Sequence, residues 1–246
     1  MRNRSTILFC TLSALVVLLF AADIAVGSVN IPLRDIWATL TGGECDAVTA
    51  KIIIDIRLIK AFVAILAGAA LSVSGLQMQT LFRNPLAGPY VLGVSSGASL
   101  GVALFILGAP LLGFTSSPLL TTLGTAGAAW LGAAAILALV ASVSRRIKDI
   151  MVILILGMMI GSAVSAIVQI LQYLSNEEAL KSFIVWTMGS LGDVTSSQLL
   201  LVAPAIIAGL IIAISVIKPM NMLLLGESYA RTMGLNIPRT RALILL

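Results

Sequence analysis

Histidine, the side chain used most often as a general base and as a transition-metal ligand, occurs nowhere in the 246 residues. The two cysteines do not fill the gap. Cys10 lies inside an apolar run and Cys45 in a polar loop, so the thiols fall at different depths and make a poor disulfide pair. No Gly-x-x-x-x-Gly-Lys phosphate loop is present, so the chain is not an ATPase, and energy drawn from ATP must arrive through another chain. No catalytic residue, metal ligand or resident cofactor is expected. Polar residues gather instead in three stretches: Arg57-Leu58-Ile59-Lys60, Gln77 to Pro89, and Lys218 to Pro238.

Arg57 and Lys60 open an apolar run, where long cationic side chains can snorkel to a membrane interface. The other two stretches each have a functional and a plainer reading. In the second stretch Pro85 and Pro89 leave backbone groups unpaired that cannot face lipid, so the loop is buried in protein or lines a pathway. An ordinary turn with Arg83 at the headgroups fits as well. In the third, Gly226 and Gly234 bracket about two helical turns between outer prolines. A short helix there suits either docking of a partner protein or an interfacial position on lipid.

The elements that hold these stretches must cross a membrane. Hydrophobic residues make up 59% of the chain and charged residues 10%, against about 25% charged in soluble domains. Between Arg83 and Arg145 lie 61 uncharged residues, enough for two crossings of about 20 residues each and a turn. The apolar runs lack the two-residue alternation of barrel strands, so the predicted fold is all-α, a polytopic transmembrane bundle. Spans are expected at 6–27, 58–82, 90–109, 119–143, 150–174 and 197–217, with a seventh beginning near 240. The first is expected to remain as an uncleaved helix.

Charge supports this count and gives an orientation. With the N-terminus inside, the inner loops hold Arg2, Arg4, Arg83, Arg145, Arg146, Lys148, Lys218, Arg231, Arg239 and Arg241 against Asp149 and Glu227. The outer loops hold five basic residues (Arg34, Lys51, Arg57, Lys60, Lys181) against eight acidic ones, Asp23, Asp35, Glu44, Asp46, Asp55, Glu177, Glu178 and Asp193. The net charge of +5 is thus an orientation signal, and its single, scattered cations do not form a nucleic-acid footprint. Small residues at Gly93, Gly97, Gly101, Gly157 and Gly161 predict close helix packing.

Three motifs also carry a resemblance. Phe82-Arg83-Asn84-Pro85-Leu86-Ala87 followed by Leu92-Gly93-Val94-Ser95-Ser96-Gly97-Ala98 resembles a signature of the iron-chelate and cobalamin (FecCD-type) permease family of ATP-binding-cassette importers. So do Pro219-Met220-Asn221-Met222 with Leu225-Gly226-Glu227, Ala230-Arg231 and Gly234, and the stretch Trp186 to Gly192. The resemblance implies a ten-span permease in a bacterial or archaeal plasma membrane, paired with a second copy or close relative. It implies a cytoplasmic ATP-binding subunit and a periplasmic or lipid-anchored substrate-binding protein as partners. Residues 1–246 would form one transmembrane domain, truncated before its last spans.

By the same resemblance, Gly226, Glu227, Tyr229, Ala230, Arg231 and Gly234 form the coupling helix that meets the ATPase. Asn84, Pro85 and Leu86 match positions that close the path at its cytoplasmic end. Arg57 and Lys60 match the basic pair that meets the binding protein, although the family's Arg-Leu-Pro-Arg reads Arg57-Leu58-Ile59-Lys60 here. Lysine keeps the charge but loses the bidentate fork of a guanidinium. The implied cargo is an iron chelate of siderophore type, with cobalamin and haem as alternatives. An ion-gradient transporter is the competing class; such proteins place ionisable groups near mid-membrane, and the central spans here carry none. A non-transporting assembly partner is the third possibility.

Overall fold

The computed structural model describes residues 2–108, 118–144, 147, 149–192 and 194–245. Arg145, Arg146, Lys148 and Asp193 of the charge balance lie outside the described residues, as do residue 109 of the third expected span and Leu246 of the seventh. Regular structure among the described residues is entirely helical. In chain order the helices are α1 (Arg2–Ala25), α2 (Leu33–Thr41), α3 (Ala47–Lys51), a π-helical segment (Ile52–Leu58) and α4 (Ile59–Phe82). A 3-10 turn (Pro89–Leu92) precedes α5 (Val94–Ile106), followed by α6 (Pro118–Ser144) and α7 (Ile150–Leu174). Then come α8 (Glu177–Met188), α9 (Ser196–Ser215), α10 (Ile217–Leu224), α11 (Glu227–Thr232) and α12 (Ile237–Leu245).

Stretches of α1, α6, α7 and α9 are long and apolar enough to cross a membrane. α4 matches them at 24 residues, with Lys60 its only charge. The expected third span differs. It is not one helix but a 3-10 turn, a left-handed Gly93 (φ 77°) and the 13-residue α5. Pro89 presets the turn, and the glycine reverses the backbone sign, so the apolar run cannot continue as a single α-helix. α8 was not expected from apolar periodicity. It starts where Asn176 Oδ1 accepts from the Ala179 N–H at 2.9 Å, with Glu177 and Glu178 in its first turn.

The chain divides into two compact units. One comprises residues Met1–Ala67 and Ser190–Ala203. Its core is Ile24, Ile31, Ile36, Ile53 and Ala61, with Phe20 edge-on to Phe62 at 5.5 Å between centroids. The other comprises Gly68–Gly189 and Pro204–Leu246. There one apolar cluster joins Phe82, Ala87 and Leu92 to Val140, Ile153, Val216, Leu223 and Ala230, and a second gathers Val102, Leu107 and Phe183.

The glycine spacing acts in this second unit. A Cβ on Gly97 would stand 2.6 Å from the Gly132 carbonyl oxygen, and one on Gly157 2.9 Å from Val91 O. Backbones of α5 and α6, and of α7 and the 3-10 turn, therefore touch where a larger residue would hold them apart. In lipid, where apolar burial drives no association, such close approach is how helices gain dispersion contact.

Candidate functional site

The stretch expected to close a path, Asn84 to Leu86, begins at the C-terminus of α4. The Asn84 N–H reaches the Gln79 carbonyl at 3.1 Å and the Arg83 N–H the Thr80 carbonyl at 3.4 Å, which together close a Schellman turn. Its left-handed position is held by Arg83 (φ 48°), the one described non-glycine residue with positive φ. Asn84 Oδ1 then accepts from the Leu86 N–H at 2.9 Å, and the Asn84 carbonyl accepts from Ala87 N–H at 3.1 Å. Asn84, Pro85 and Leu86 thus form one compact turn. Leu86 is 82% exposed at its tip, whereas Phe82 and Ala87 on either side are buried.

The stretch expected to couple to an ATPase is a six-residue helix between two special glycines. Gly226 (φ 115°) sets the start of α11, and Gly234 (φ 85°) ends it, with Leu235 N–H to Ala230 O and Gly234 N–H to Arg231 O both at 3.0 Å. Ala230 is fully buried in the same cluster as Phe82 and Leu223. Tyr229 and Arg231 are exposed on the other face. Glu227 pairs with Arg241 of α12, tying the start of α11 to the last described helix. The carbonyl of Leu223 accepts from Gly226 N–H at 3.1 Å and from an Arg83 Nη2 at 2.9 Å, so this stretch and the Asn84–Leu86 turn are joined.

The third predicted pair lies in the other unit. Arg57 is only 5% exposed. Its guanidinium donates to Ile24 O (2.9 Å) and Ala25 O (3.0 Å) at the end of α1, and to Val29 O beyond it. This arrangement satisfies carbonyls left unpaired at a helix C-terminus and places positive charge at its negative end. Gly27 passes directly beneath, where a Cβ would meet the guanidinium at 2.8 Å. Lys60, one turn on, pairs with Asp23 at 2.9 Å and remains partly exposed.

A polar groove was missed by the sequence reading. Ser96 on α5 and Ser165 on α7 share a hydrogen bond (3.2 Å), and with Ser162, Gln169 and Tyr90 they line a cavity of about 570 Å³. The signal was the spacing Ser162, Ser165, Gln169, which puts three polar side chains on one face of an otherwise apolar span. Among the described residues no three His, Cys, Asp or Glu side chains stand where they could hold a metal ion.

Residues 15–246 match the family model described as the FecCD transport family. The chain is 35% identical to the hemin transport system permease protein HmuU of Yersinia pestis, over 94% of its own length and 67% of that protein's. It is 31% identical to the molybdate import system permease protein MolB of Haemophilus influenzae (95% and 68% covered). It is 36% identical to the vitamin B12 import system permease protein BtuC of Shigella boydii (91% and 64%). The chain therefore spans about two thirds of the length of these relatives. A solved ABC transporter assigned to the metal-chelate type, in an inward-facing conformation, superposes with a TM-score of 0.80 at 30% identity, over 98% of this chain and 71% of that one. A helical membrane bundle with all three motifs in order, matched over nearly its whole length by importer permeases, belongs to the FecCD transport family of ABC importer permeases.

Proposed function

We propose that the chain forms the membrane path for an iron chelate of siderophore type, with its N-terminus in the cytoplasm of a bacterial or archaeal cell. A cytoplasmic ATPase docks on Gly226, Glu227, Tyr229, Ala230, Arg231 and Gly234, and a substrate-binding protein docks at the outer end near Lys60. A second permease copy completes the path, and ATP is used only by the partner. The observation that carries the reading is α11 itself. A six-residue helix held between Gly226 and Gly234, buried through Ala230 and exposed through Tyr229 and Arg231, is shaped to be gripped from one side. The groove of Ser96, Ser162, Ser165 and Gln169 offers hydroxyl and amide groups to a polar cargo without a fixed charge to trap it.

In the path, Asn84, Pro85 and Leu86 act as the cytoplasmic closure, and Arg57 serves the outer surface by bracing the end of α1 while Lys60 presents the charge. The test is uptake into vesicles holding the permease, the ATPase and the binding protein from the same operon, with ferric siderophore, haemin and cobalamin as separate arms. ATP-dependent accumulation of the ferric siderophore alone is expected. Accumulation of haemin or cobalamin instead replaces the cargo and keeps the importer. Uptake that persists without ATP and stops when the ion gradient collapses overturns the importer reading.

A further inference from the structure

The one described non-glycine residue in left-handed backbone, Arg83, sits where a Schellman turn ordinarily takes glycine. A Cβ there is unfavourable, so the position would be easier for the turn without a side chain. What the side chain does is reach 140 residues along the chain to the Leu223 carbonyl, at 2.9 Å. That carbonyl closes α10 and also accepts the Gly226 N–H, the hinge into α11. Arg83 Nη2 therefore holds one end of the coupling stretch, and its backbone holds one end of the gate turn at Asn84. Behind it, Phe82 and Ala87 pack in one cluster with Met220, Leu223 and Ala230.

The two kinds of contact differ in what they transmit. Packed apolar side chains resist being pressed together but separate with the loss of dispersion contact alone. A charge-assisted hydrogen bond to a part-buried carbonyl also resists separation, because parting leaves that acceptor with the Gly226 N–H and whatever water reaches it in place of the guanidinium. We propose that Arg83 is the positioning residue that makes the Asn84–Leu86 turn follow the coupling stretch when the stretch is pulled away as well as when it is pushed. The inference rests on the importer reading above.

The experiment uses the complete permease complex in vesicles with ferric siderophore, haemin and cobalamin offered in turn, and reads substrate moved per ATP hydrolysed. This ratio is insensitive to how much complex assembles. Arg83→Gly suits the left-handed turn and removes the link; its complex should melt no lower than wild type, yet the ratio should fall about tenfold or more, as loss of a charged hydrogen bond allows. Arg83→Met keeps the stem without a donor and should show the same fall, and Arg83→Lys should recover part of it. A wild-type ratio in either the glycine or the methionine variant overturns the link while leaving the importer intact. Absence of ATP-dependent uptake in the wild-type complex overturns the importer reading and this inference with it.

Discussion

At the scale of single residues, the two cations on either side of the junction between the π-helical segment and α4 behave differently. Arg57 is enclosed by carbonyls, and charged hydrogen bonds of that kind contribute about 1.5–3 kcal/mol each when their acceptors are otherwise unpaired. Gly27→Ala pushes a methyl into the guanidinium, so the purified protein should lose roughly 1–3 kcal/mol in thermal unfolding, whereas Ala25→Gly nearby should not displace it. Lys60 behaves differently because its side chain is partly exposed, and pairs of that kind contribute about 0–1 kcal/mol. Lys60→Ala should leave unfolding almost unchanged but weaken binding of an acidic partner, most visibly at low salt. Asp23→Asn removes the internal competitor and should strengthen the same binding; equal affinities across these variants would rule Lys60 out as a docking charge. That two cations stood at the start of a span was readable from the sequence. That Arg57 would turn inward was not, because its carbonyl partners lie 28 to 33 residues earlier and are backbone groups common to every residue.

At the scale of elements, legibility followed local signals. The span expected at 150–174 is α7, Ile150–Leu174, because Asp149 caps its first turn and Ser175-Asn176 starts a new cap at once. In the run at 90–109, Pro89 and Gly93 are the local signals that divide one continuous apolar stretch into a 3-10 turn and α5. α11 was legible through its bracketing glycines, and Gly226 gives the sharpest test of it. At φ 115° and ψ 145° the backbone lies in a region nearly reserved for glycine, while no atom approaches within 4 Å of where a Cβ would stand. Gly226→Ala therefore costs about 1–3 kcal/mol through backbone conformation alone, with no steric neighbour to relieve it. The expected outcome is an intact, folded permease that co-purifies with less ATPase. Undiminished co-purification would show that the start of α11 has no part in docking.

At the scale of the whole molecule, orientation depends on whether the broken third element crosses. Thirteen residues of α5 rise about 20 Å, too short for a hydrocarbon core of about 30 Å. The four-residue 3-10 turn adds about 8 Å at most, which brings the pair close to a full crossing. If it crosses, six crossings return the chain to the side of its N-terminus before α11, and the basic residues Lys218, Arg231 and Arg239 lie with Arg4. If it does not, every later loop changes sides and the charge asymmetry is lost. The native thiols make this measurable, since Cys45 lies between α2 and α3, beyond the first apolar helix, and Cys10 within the apolar part of α1 itself. In right-side-out spheroplasts a membrane-impermeant maleimide should label Cys45, while Tyr229→Cys, exposed on α11, should react only after permeabilisation. Labelling of Tyr229→Cys in intact spheroplasts would mean an odd number of crossings before α11. It would place α11 out of reach of any cytoplasmic ATPase, so this single accessibility measurement bears on the proposed path, its proposed closure at Asn84–Leu86 and the Arg83 link together.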